Sequence, residues 1–379
     1  MLEPLLTTVD PVNYPTYLSE KINVTLALFD EAELKHPDPE IHESLREHFR
    51  SRAEFCIFKE GDVFTYSMFK GKGNKRERIS LTEFPMATKS INKVMELLRE
   101  LLPQHAELYK KVFSVEFLSS QNGDVVASLN YHRHLEEEAW KADAQALKAE
   151  MAERGVNCDF LAHAKKQEIL ADTDSVLETI HTDDGKDFNL FEVNGSFSQP
   201  NAEVAGHMVS FARSCCQNCK DTDLIELYCG SGTFTVCLAD LFRKVFSTEV
   251  TRVATKTCFK NLDINGIDNV KLARLSAEEV SEALSGVREF FRLKEANIDV
   301  KDYDLKTLLI DPPRCGLCDE RSLNFTAKFD RVIYISCNPQ TLVQDLKFLT
   351  KTHKIKRLAF FDQFPYTPHL ESGVLLERI

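Results

Sequence analysis

Three stretches of the sequence place a chemically reactive side chain where an apolar, strand-like run gives way to a loop. In "YISCNPQTL" the run stops at Cys337, just before Asn338-Pro339 turns the backbone. In "LLIDPPRCGL" it stops at Asp311, and in "HLESGVLLE" Glu371 stands beside the last apolar run. A thiolate is a nucleophile, and a partly desolvated carboxylate can accept a proton. Taken alone, the thiol of Cys337 could equally be buried and inert. Together with the two carboxylates, it favours a catalytic cysteine.

A glycine-rich turn in "ELYCGSGTF" predicts a binding site for a nucleoside cofactor. Gly230 and Gly232 lie between a strand and a helix, where a ligand can approach the backbone and the free N–H groups. Thr235 stands where a dinucleotide-binding turn has its last glycine, and Glu249 ends the next strand, where an acid suits paired ribose hydroxyls. This turn lacks the last glycine of a phosphate-binding turn, and S-adenosylmethionine, unlike NAD, does not need one. We therefore favour S-adenosylmethionine over NAD and over a turn that binds no ligand.

A thiol, a base and a methyl donor together suit one reaction, the methylation of carbon-5 of uracil. That carbon is a poor nucleophile until a thiolate adds to carbon-6 and turns the ring into an enolate. A base then removes the carbon-5 proton and the thiolate leaves, so one hard step is divided into easier ones. We expect Cys337 to be the thiol and Glu371 to be the candidate base.

The elements that must position these residues differ between the two halves of the chain. The second half alternates strands and helices and ends in two strands with no helix between them, which predicts a parallel, doubly wound sheet closed by an antiparallel hairpin. The first half indicates an antiparallel sheet with helices on one face. We therefore predict an α/β protein with an α+β RNA-binding domain (residues 1–190) and a seven-stranded Rossmann-like domain (residues 191–379).

Composition places the chain among globular proteins of a reducing compartment. The 379 residues are 43% hydrophobic and 28% charged, and no apolar run is long enough to span a membrane. The first residues are acidic and interrupted by prolines, unlike a secretory signal. The eleven cysteines lack the spacing of a disulfide scaffold, so we expect a cytoplasmic protein. We also expect it to be a monomer. The pairs Cys216/Cys219 and Cys315/Cys318 could bind zinc, but free thiols are favoured and we expect no metal.

Charge is unevenly distributed along the chain, and this bears on RNA binding. The net charge of −12 argues against a nucleic-acid partner, yet residues 45–80 hold nine cations and five acids. A charge run is by default a solvated hairpin, but here cations flank strands rich in aromatic residues, as in proteins that hold single-stranded RNA. The predicted RNA contacts are Arg50, Arg52, Phe55, Lys70, Lys72, Lys75, Arg76 and Arg78.

Taken together, the motifs resemble one family over almost the whole chain. "FSQPN", "ELYCGSGTF", "TEV", "IDPPRCGL", "YISCNPQTL" and "FDQFPYTPHLESGVLL", in this order, resemble the RNA uracil-5-methyltransferases, and within them the tRNA enzymes that make ribothymidine in the T-loop. The resemblance implies that Cys337 is the nucleophile and Glu371 the proton acceptor. It also implies a set of residues that hold S-adenosylmethionine, namely Gln199, Tyr228, Thr233, Glu249 and Asp311. Thr233 departs from the asparagine that is frequent in the family, so that contact could run through the hydroxyl.

The resemblance leaves two alternatives to a tRNA enzyme. Related ribosomal-RNA enzymes carry an oligonucleotide-binding domain and an iron–sulfur cluster held by four cysteines. Only Cys56 and Cys158 precede Cys215 here, so we expect no such cluster, and tRNA is the favoured partner. The alternatives are a methyltransferase for ribosomal or another structured RNA, and a catalytically idle RNA-binding or folding factor.

Overall fold

The computed structural model describes residues 2–60, 63–71 and 76–379, with nothing said of the Glu60 side chain. The helices in these residues are α1 (Tyr14–Glu31), α2 (Lys89–Leu101), α3 (Ala106–Tyr109), α4 (Glu137–Glu153), α5 (Ala202–Ser214), α6 (Thr233–Leu238), α7 (Arg252–Ile264), α8 (Ala277–Leu284), α9 (Phe291–Glu295), α10 (Glu320–Thr326) and α11 (Pro339–Leu349). The strands are β1 (Glu40–His42), β2 (Arg52–Glu60), β3 (Val63–Lys70), β4 (Glu77–Leu81), β5 (Val112–Ser119), β6 (Val125–Tyr131), β7 (Cys158–Ala164), β8 (Gln167–Leu170), β9 (Ser175–His181), β10 (Asp187–Val193), β11 (Asp223–Leu227), β12 (Lys244–Thr248), β13 (Val270–Ala273), β14 (Leu305–Ile310), β15 (Arg331–Ser336), β16 (His353–Phe361) and β17 (Glu371–Arg378).

The second half of the chain forms the predicted doubly wound sheet. Its strand order is β16-β17-β15-β14-β11-β12-β13, and the strands from β11 to β15 are mutually parallel. β17 runs antiparallel between β15 and β16, as predicted for a closing hairpin. The central strands are apolar on both faces because helices cover both sides of the sheet, so "LKTLLI" and "RVIYIS" are almost entirely buried. This arrangement brings the carboxyl ends of the parallel strands to one edge, which we call the upper edge.

The first half forms a second sheet, with the order β4-β3-β2-β5-β6-β7-β8. Neighbouring strands are antiparallel, as predicted, except that β6 and β7 are parallel and are joined through α4. The predicted turn at residues 60–62 between β2 and β3 falls on residues outside those described. Alternation along β2 buries Ala53, Phe55 and Ile57 against the helices that cover this sheet.

The first helix and the first strand pack on the sheet of the second half. β1 pairs in parallel with β16 and adds an eighth strand to that sheet. Lys21 of α1 is 2% exposed and forms a buried ion pair with Asp362 at the end of β16. The division into residues 1–190 and 191–379 therefore does not coincide with the packing, because β1 and α1 join the second sheet and residue 191 lies inside β10.

The described residues offer neither a membrane-spanning helix nor a cluster of metal ligands. No helix among them is long and apolar enough to cross a membrane. No three or more His, Cys, Asp or Glu side chains in the same part of the chain are grouped so that they could hold a metal ion. The cysteines are all free thiols, including the four for which zinc was considered.

Candidate active site

The candidate residues follow directly after neighbouring strands of the second sheet. Tyr228 follows β11, Glu249 follows β12, Asp311 follows β14 and Cys337 follows β15. Glu371 begins β17, and since that strand is antiparallel its first residue lies at the same upper edge. Adjacent strands are about 4.8 Å apart, so the five residues form a row across five neighbouring strands. The strand order therefore places Glu371, Cys337 and Asp311 side by side, with Tyr228 and Glu249 beyond them.

A cavity of about 1060 Å³ opens at this edge and contains most of the predicted site. Seven predicted residues line it together, namely Gln199, Tyr228, Gly230, Glu249, Asp311, Cys337 and Glu371. Gly232 and Thr233 do not line the cavity. They begin α6, where Gly232 has a φ of +88° and a Cβ atom would come within 2.5 Å of the Cys258 sulfur. A glycine is therefore needed at position 232 so that the turn can pack against Cys258. Thr233 stays a predicted cofactor contact, and the cavity lining does not support it.

Backbone N–H groups hold the Glu249 carboxylate in a fixed orientation. One oxygen accepts a hydrogen bond from the Gly230 N–H at 3.1 Å. The other accepts from Val250 and Thr251 at 2.9 and 2.7 Å. A carboxylate fixed in this way at the end of the second strand is arranged to accept hydrogen bonds from ribose hydroxyls, which is the role predicted for Glu249.

The loop that carries Cys337 is tied to the loop that carries Asp311. Asn338 caps α11 through a hydrogen bond from the Gln340 N–H at 3.1 Å, and its side-chain amide donates to the Arg314 carbonyl at 2.9 Å. The Thr341 hydroxyl donates to the same carbonyl at 3.2 Å. The Asn-Pro turn therefore fixes the position of the thiol relative to Asp311, which supports the role predicted for Cys337.

Burial and mutual repulsion raise the pKa values of the acidic groups in the cavity. Desolvation raises the pKa of Asp311 to about 7. Desolvation, and then the charge of Asp311, raise the pKa of Glu371 to about 8, against the opposing effect of Arg314. Desolvation followed by Glu371 and Asp311 raises the pKa of Cys337 to about 11. The thiol is therefore protonated at neutral pH unless a proton acceptor or a cation joins it.

The unpaired polar groups in the cavity fit a cationic nucleoside cofactor. Neither the Asp311 nor the Glu371 carboxyl group forms a hydrogen bond or an ion pair with a described residue, although Glu371 is only 5% exposed. Both polar atoms of the Asn194 side-chain amide, which also lines the cavity, are buried without a partner among the described residues. Buried polar groups are normally satisfied, so this set indicates a ligand with cationic and hydrogen-bonding groups. The sulfonium and amino groups of S-adenosylmethionine meet that requirement.

Comparison with known proteins identifies the family. The family model described as tRNA (Uracil-5-)-methyltransferase matches residues 13–379. The chain belongs to this family. A tRNA/tmRNA (uracil-C(5))-methyltransferase of Photobacterium profundum is 41% identical over 372 residues, which are 98% of this chain and 99% of that protein. The corresponding protein of Aliivibrio salmonicida is 41% identical over the full length of both chains.

A solved structure shows the same fold at lower sequence identity. The Pyrococcus abyssi tRNA (uracil-54, C5)-methyltransferase, in complex with S-adenosyl-L-homocysteine, matches with a TM-score of 0.68 and 20% identity over 96% of this chain and 83% of that one. The Rossmann-like methyltransferase fold predicted from the sequence is thereby confirmed. As a member of the tRNA (uracil-5-)-methyltransferase family, the protein is an enzyme that uses S-adenosylmethionine to methylate uracil at carbon-5 in tRNA.

None of the described residues predicted to bind RNA lines the active-site cavity of this methyltransferase, and the side chains of three of them make contacts within the fold. Phe55 is 1% exposed and packs against Tyr66 and Phe117, so its ring cannot stack on a base, and we withdraw it as an RNA contact. Arg50 donates through Nε to the Arg52 carbonyl at 2.8 Å. Arg52 donates to the Ser196 carbonyl at 2.8 Å, so both guanidinium groups support the chain beside the cavity.

The other predicted RNA contacts lie on the surface hairpin β3–β4 or outside the described residues. Lys70 is 59% exposed and pairs with Glu3 at 3.0 Å. Arg76 lies 5.9 Å from the ring centroid of Phe69 and Arg78 lies 4.6 Å from that of Phe58. Lys72 and Lys75 fall outside the described residues. None of the surface residues of this set lines the cavity, so their contact with RNA stays a prediction.

The structure adds functional candidates that sequence reasoning missed. Arg314 lines the cavity and lowers the pKa values of Cys337 and Glu371; its place directly after "DPP" was a usable signal. Phe113 and His132 stack with ring centroids 3.8 Å apart and an interplanar angle of 4°. Phe113 is 36% exposed. No local pattern in the sequence pairs these two residues, because Phe113 lies on β5 and His132 directly follows β6.

We predict that Glu371→Gln makes the stability of the methyltransferase less dependent on pH. The carboxyl loses its proton near its ordinary pKa of 4.5 in the unfolded chain, but holds it up to about pH 8 in the folded protein. Unfolding therefore releases a proton in this range, and stability falls as pH rises from about 4.5 to 8. Between those limits the variant should gain about 5 kcal/mol relative to the parent.

Thermal or denaturant unfolding of both proteins at a series of pH values measures this effect. The glutamine leaves a buried amide without a partner, which lowers the stability of the variant at every pH. The absolute stability of the variant therefore does not test the prediction. The test is the unfolding free energy of the variant minus that of the parent, which should increase as pH rises. Parallel curves would contradict the burial of an ionisable Glu371.

Proposed function

We propose that this enzyme methylates a uridine in the T-loop of tRNA through a transient covalent bond between the Cys337 sulfur and carbon-6 of the uracil. The observation that carries the proposal is that Cys337, Glu371 and Asp311 line one cavity with Tyr228 and Glu249. A nucleophile, a candidate base and a cofactor-binding edge thus share one space. When bound, S-adenosylmethionine supplies the methyl group that carbon-5 of the ring accepts.

Cys337 begins the proposed reaction as a nucleophile. Its sulfur bonds to carbon-6, and the ring electrons move to carbon-5 and the carbonyl oxygen, which makes carbon-5 nucleophilic. Because the pKa of the thiol is raised to about 11 in the ligand-free cavity, the thiolate must be favoured by what binds there. A cation bound beside Asp311 and Glu371 lowers the pKa of the thiol and offsets the repulsion from the two carboxylates.

Glu371 ends the reaction as a base. It accepts the proton from carbon-5, the electron pair of that C–H bond restores the ring double bond, and the carbon–sulfur bond breaks to release the thiolate. The burial that raises its pKa to about 8 makes the carboxylate a stronger base than an exposed glutamate. The register of β15 and β17 pairs Ser336 with Ser372, so Glu371 lies next to Cys337, and this proximity supports the proposed step.

Recognition of a folded RNA requires the target base to leave its stack. The thiol lies inside a cavity, so a T-loop uridine must be everted to reach it. Asn130 of β6 pairs in register with His163, which lines the cavity, and His132 directly follows the last residue of β6. The partly exposed Phe113–His132 stack offers an aromatic surface that can support a neighbouring unstacked base.

A transfer assay with defined RNAs tests the proposed substrate. We expect the purified protein to release tritium from carbon-5 of uridine in an unmodified tRNA transcript. A transcript whose T-loop uridines are all replaced by cytidine should not react. Ribosomal RNA and tmRNA transcripts are the comparison, since the curated relatives carry the name tRNA/tmRNA (uracil-C(5))-methyltransferase. Faster transfer to ribosomal RNA would contradict the T-loop assignment.

A further inference from the structure

Helix α7 carries three cations along the face that lines the active-site cavity. Arg252, Lys256 and Lys260 are spaced four residues apart, so they lie on the same side of the helix. With a rise of about 1.5 Å per residue, successive charges are about 6 Å apart along the helix axis. We call these three residues the α7 basic face.

The α7 basic face has no partner among the residues that the structure describes. None of its three side chains forms an ion pair, hydrogen bond or cation–π contact with a described residue, and all three are exposed. Other cations of the same domain are engaged: Arg213 pairs with Asp184 and Asp240, and Arg243 pairs with Asp223. In a chain with a net charge of −12, three adjacent unpaired cations on one wall of the cavity indicate an anionic ligand.

Another part of the cavity wall has the opposite character. Glu168 of β8 and Asp174, directly before β9, line the cavity, and neither forms an ion pair with a described lysine or arginine. The imidazole of His163 lies 3.9 Å from the Glu168 carboxylate. Carboxylates repel phosphates, so a polyanion entering the cavity is directed away from them and towards α7. The side of the cavity formed by α7 therefore attracts the phosphates of a nucleic acid, and the side with Glu168 and Asp174 repels them.

Exposed apolar side chains lie beside the cations. Val253 is 53% exposed and Phe197 is 73% exposed, and both line the same cavity. A row of cations next to an exposed aromatic ring is the arrangement by which proteins bind the backbone and the splayed bases of single-stranded RNA. A small-molecule cofactor with one carboxylate would not need three cations spread over about 12 Å of helix.

We propose that the α7 basic face binds the phosphates of the RNA strand that flanks the everted uridine. This inference rests on the proposed function, because it assumes that the uridine enters the cavity that contains Cys337. It assigns RNA binding to the methyltransferase domain itself, in addition to the surface hairpin predicted from the sequence. Phosphate contacts of this kind position the strand, while the cavity selects the base.

The test compares two double variants that each remove two positive charges. Lys256→Gln/Lys260→Gln changes the α7 basic face. Lys347→Gln/Lys354→Gln is the matched control: both lysines are exposed and unpaired among the described residues. Lys347 lies in the last turn of α11 and Lys354 is the second residue of β16, so they lie at the edge of the sheet opposite the cavity. Circular dichroism establishes that each variant is folded.

Fluorescence anisotropy with an in vitro transcribed tRNA measures the dissociation constant over a range of salt concentrations. We expect the α7 variant to bind about tenfold more weakly at low salt, with a slope of log affinity against log salt that is shallower by about 1.4. Steady-state transfer should show a raised KM for tRNA with little change in kcat, because phosphate contacts position the strand without touching the reacting atoms. The control variant should match the parent in all three measurements.

The outcomes separate this inference from the proposed function. Equal affinity and salt dependence of the α7 variant and its parent would overturn the inference, whether or not the parent methylates tRNA. A raised KM for S-adenosylmethionine with an unchanged KM for tRNA would overturn it as well, and would assign α7 to the cofactor. Loss of tRNA affinity in a protein whose parent binds tRNA without methylating it would support the inference and contradict the proposed function.

Discussion

Replacing Cys337 by alanine is expected to abolish methyl transfer, with a loss of at least about 10⁴-fold in kcat. Carbon-5 of uracil does not attack a methyl donor until a nucleophile has added at carbon-6, and no neighbouring group in the cavity can replace the sulfur. The alanine should leave the fold intact, since the thiol is only partly buried and makes no side-chain hydrogen bond to a described residue. Methyl incorporation into an unmodified tRNA transcript measures the loss.

The neighbouring thiol Cys315 provides the control for this experiment. It is exposed on the loop after Asp311, and Cys315→Ala should retain nearly full activity. In parallel, tRNA containing 5-fluorouridine should form a stable adduct with the parent protein and the cofactor, because carbon-5 then carries no removable proton. Mass spectrometry of the digested adduct should find the modification at Cys337. A modified Cys315, or an active Cys337→Ala variant, would contradict the covalent mechanism.

Replacing Glu371 by glutamine is expected to trap the methylated RNA on the protein. The amide keeps the size and hydrogen-bonding capacity of the side chain but cannot accept the carbon-5 proton. Turnover should fall by about 10²- to 10⁴-fold, the range that a general base contributes. Addition of the thiolate and transfer of the methyl group should still occur, so a protein–RNA complex that survives denaturing electrophoresis should accumulate with ordinary tRNA.

Asp311→Asn distinguishes this effect from the general loss of a carboxylate in the cavity. Asp311 lines the same cavity and is expected to hold the cofactor, so its variant should raise the KM for S-adenosylmethionine without accumulating the complex. If Glu371→Gln turned over at the parent rate, Glu371 would not be the base. If Asp311→Asn also accumulated the complex, the assignment of the base to Glu371 alone would be contradicted.

Several features of the fold follow from local sequence patterns. Strands and helices that alternate along the chain form a parallel sheet, and the carboxyl ends of its strands share one edge. This rule alone predicts that Tyr228, Glu249, Asp311 and Cys337 meet, and all four line the cavity. The burial of Phe55 could also have been predicted from the sequence. Ala53, Phe55 and Ile57 are buried at alternate positions, as in a strand with one covered face.

Other features depend on contacts between distant segments, and local patterns do not encode them. Arg52 lies in a basic stretch of the sequence, but its side chain turns inward to the carbonyl of Ser196, which is 144 residues away. β1 joins the second sheet only because its backbone pairs with β16, more than 300 residues later. Hydrogen bonds of this kind are decided by which surfaces meet on folding.

The sequence by itself determined the chemistry of this protein, because the identity of the reactive side chains and their places at strand ends are local properties. It also carried enough of the family pattern to indicate the reaction. Only the tertiary structure brought Lys256 and Lys260, on which the proposed RNA contact rests, to the wall of the cavity, since the direction of their side chains depends on how α7 packs against the sheet. It also decided the neighbours of Glu371, because the insertion of β17 between β15 and β16 is a long-range choice of strand order.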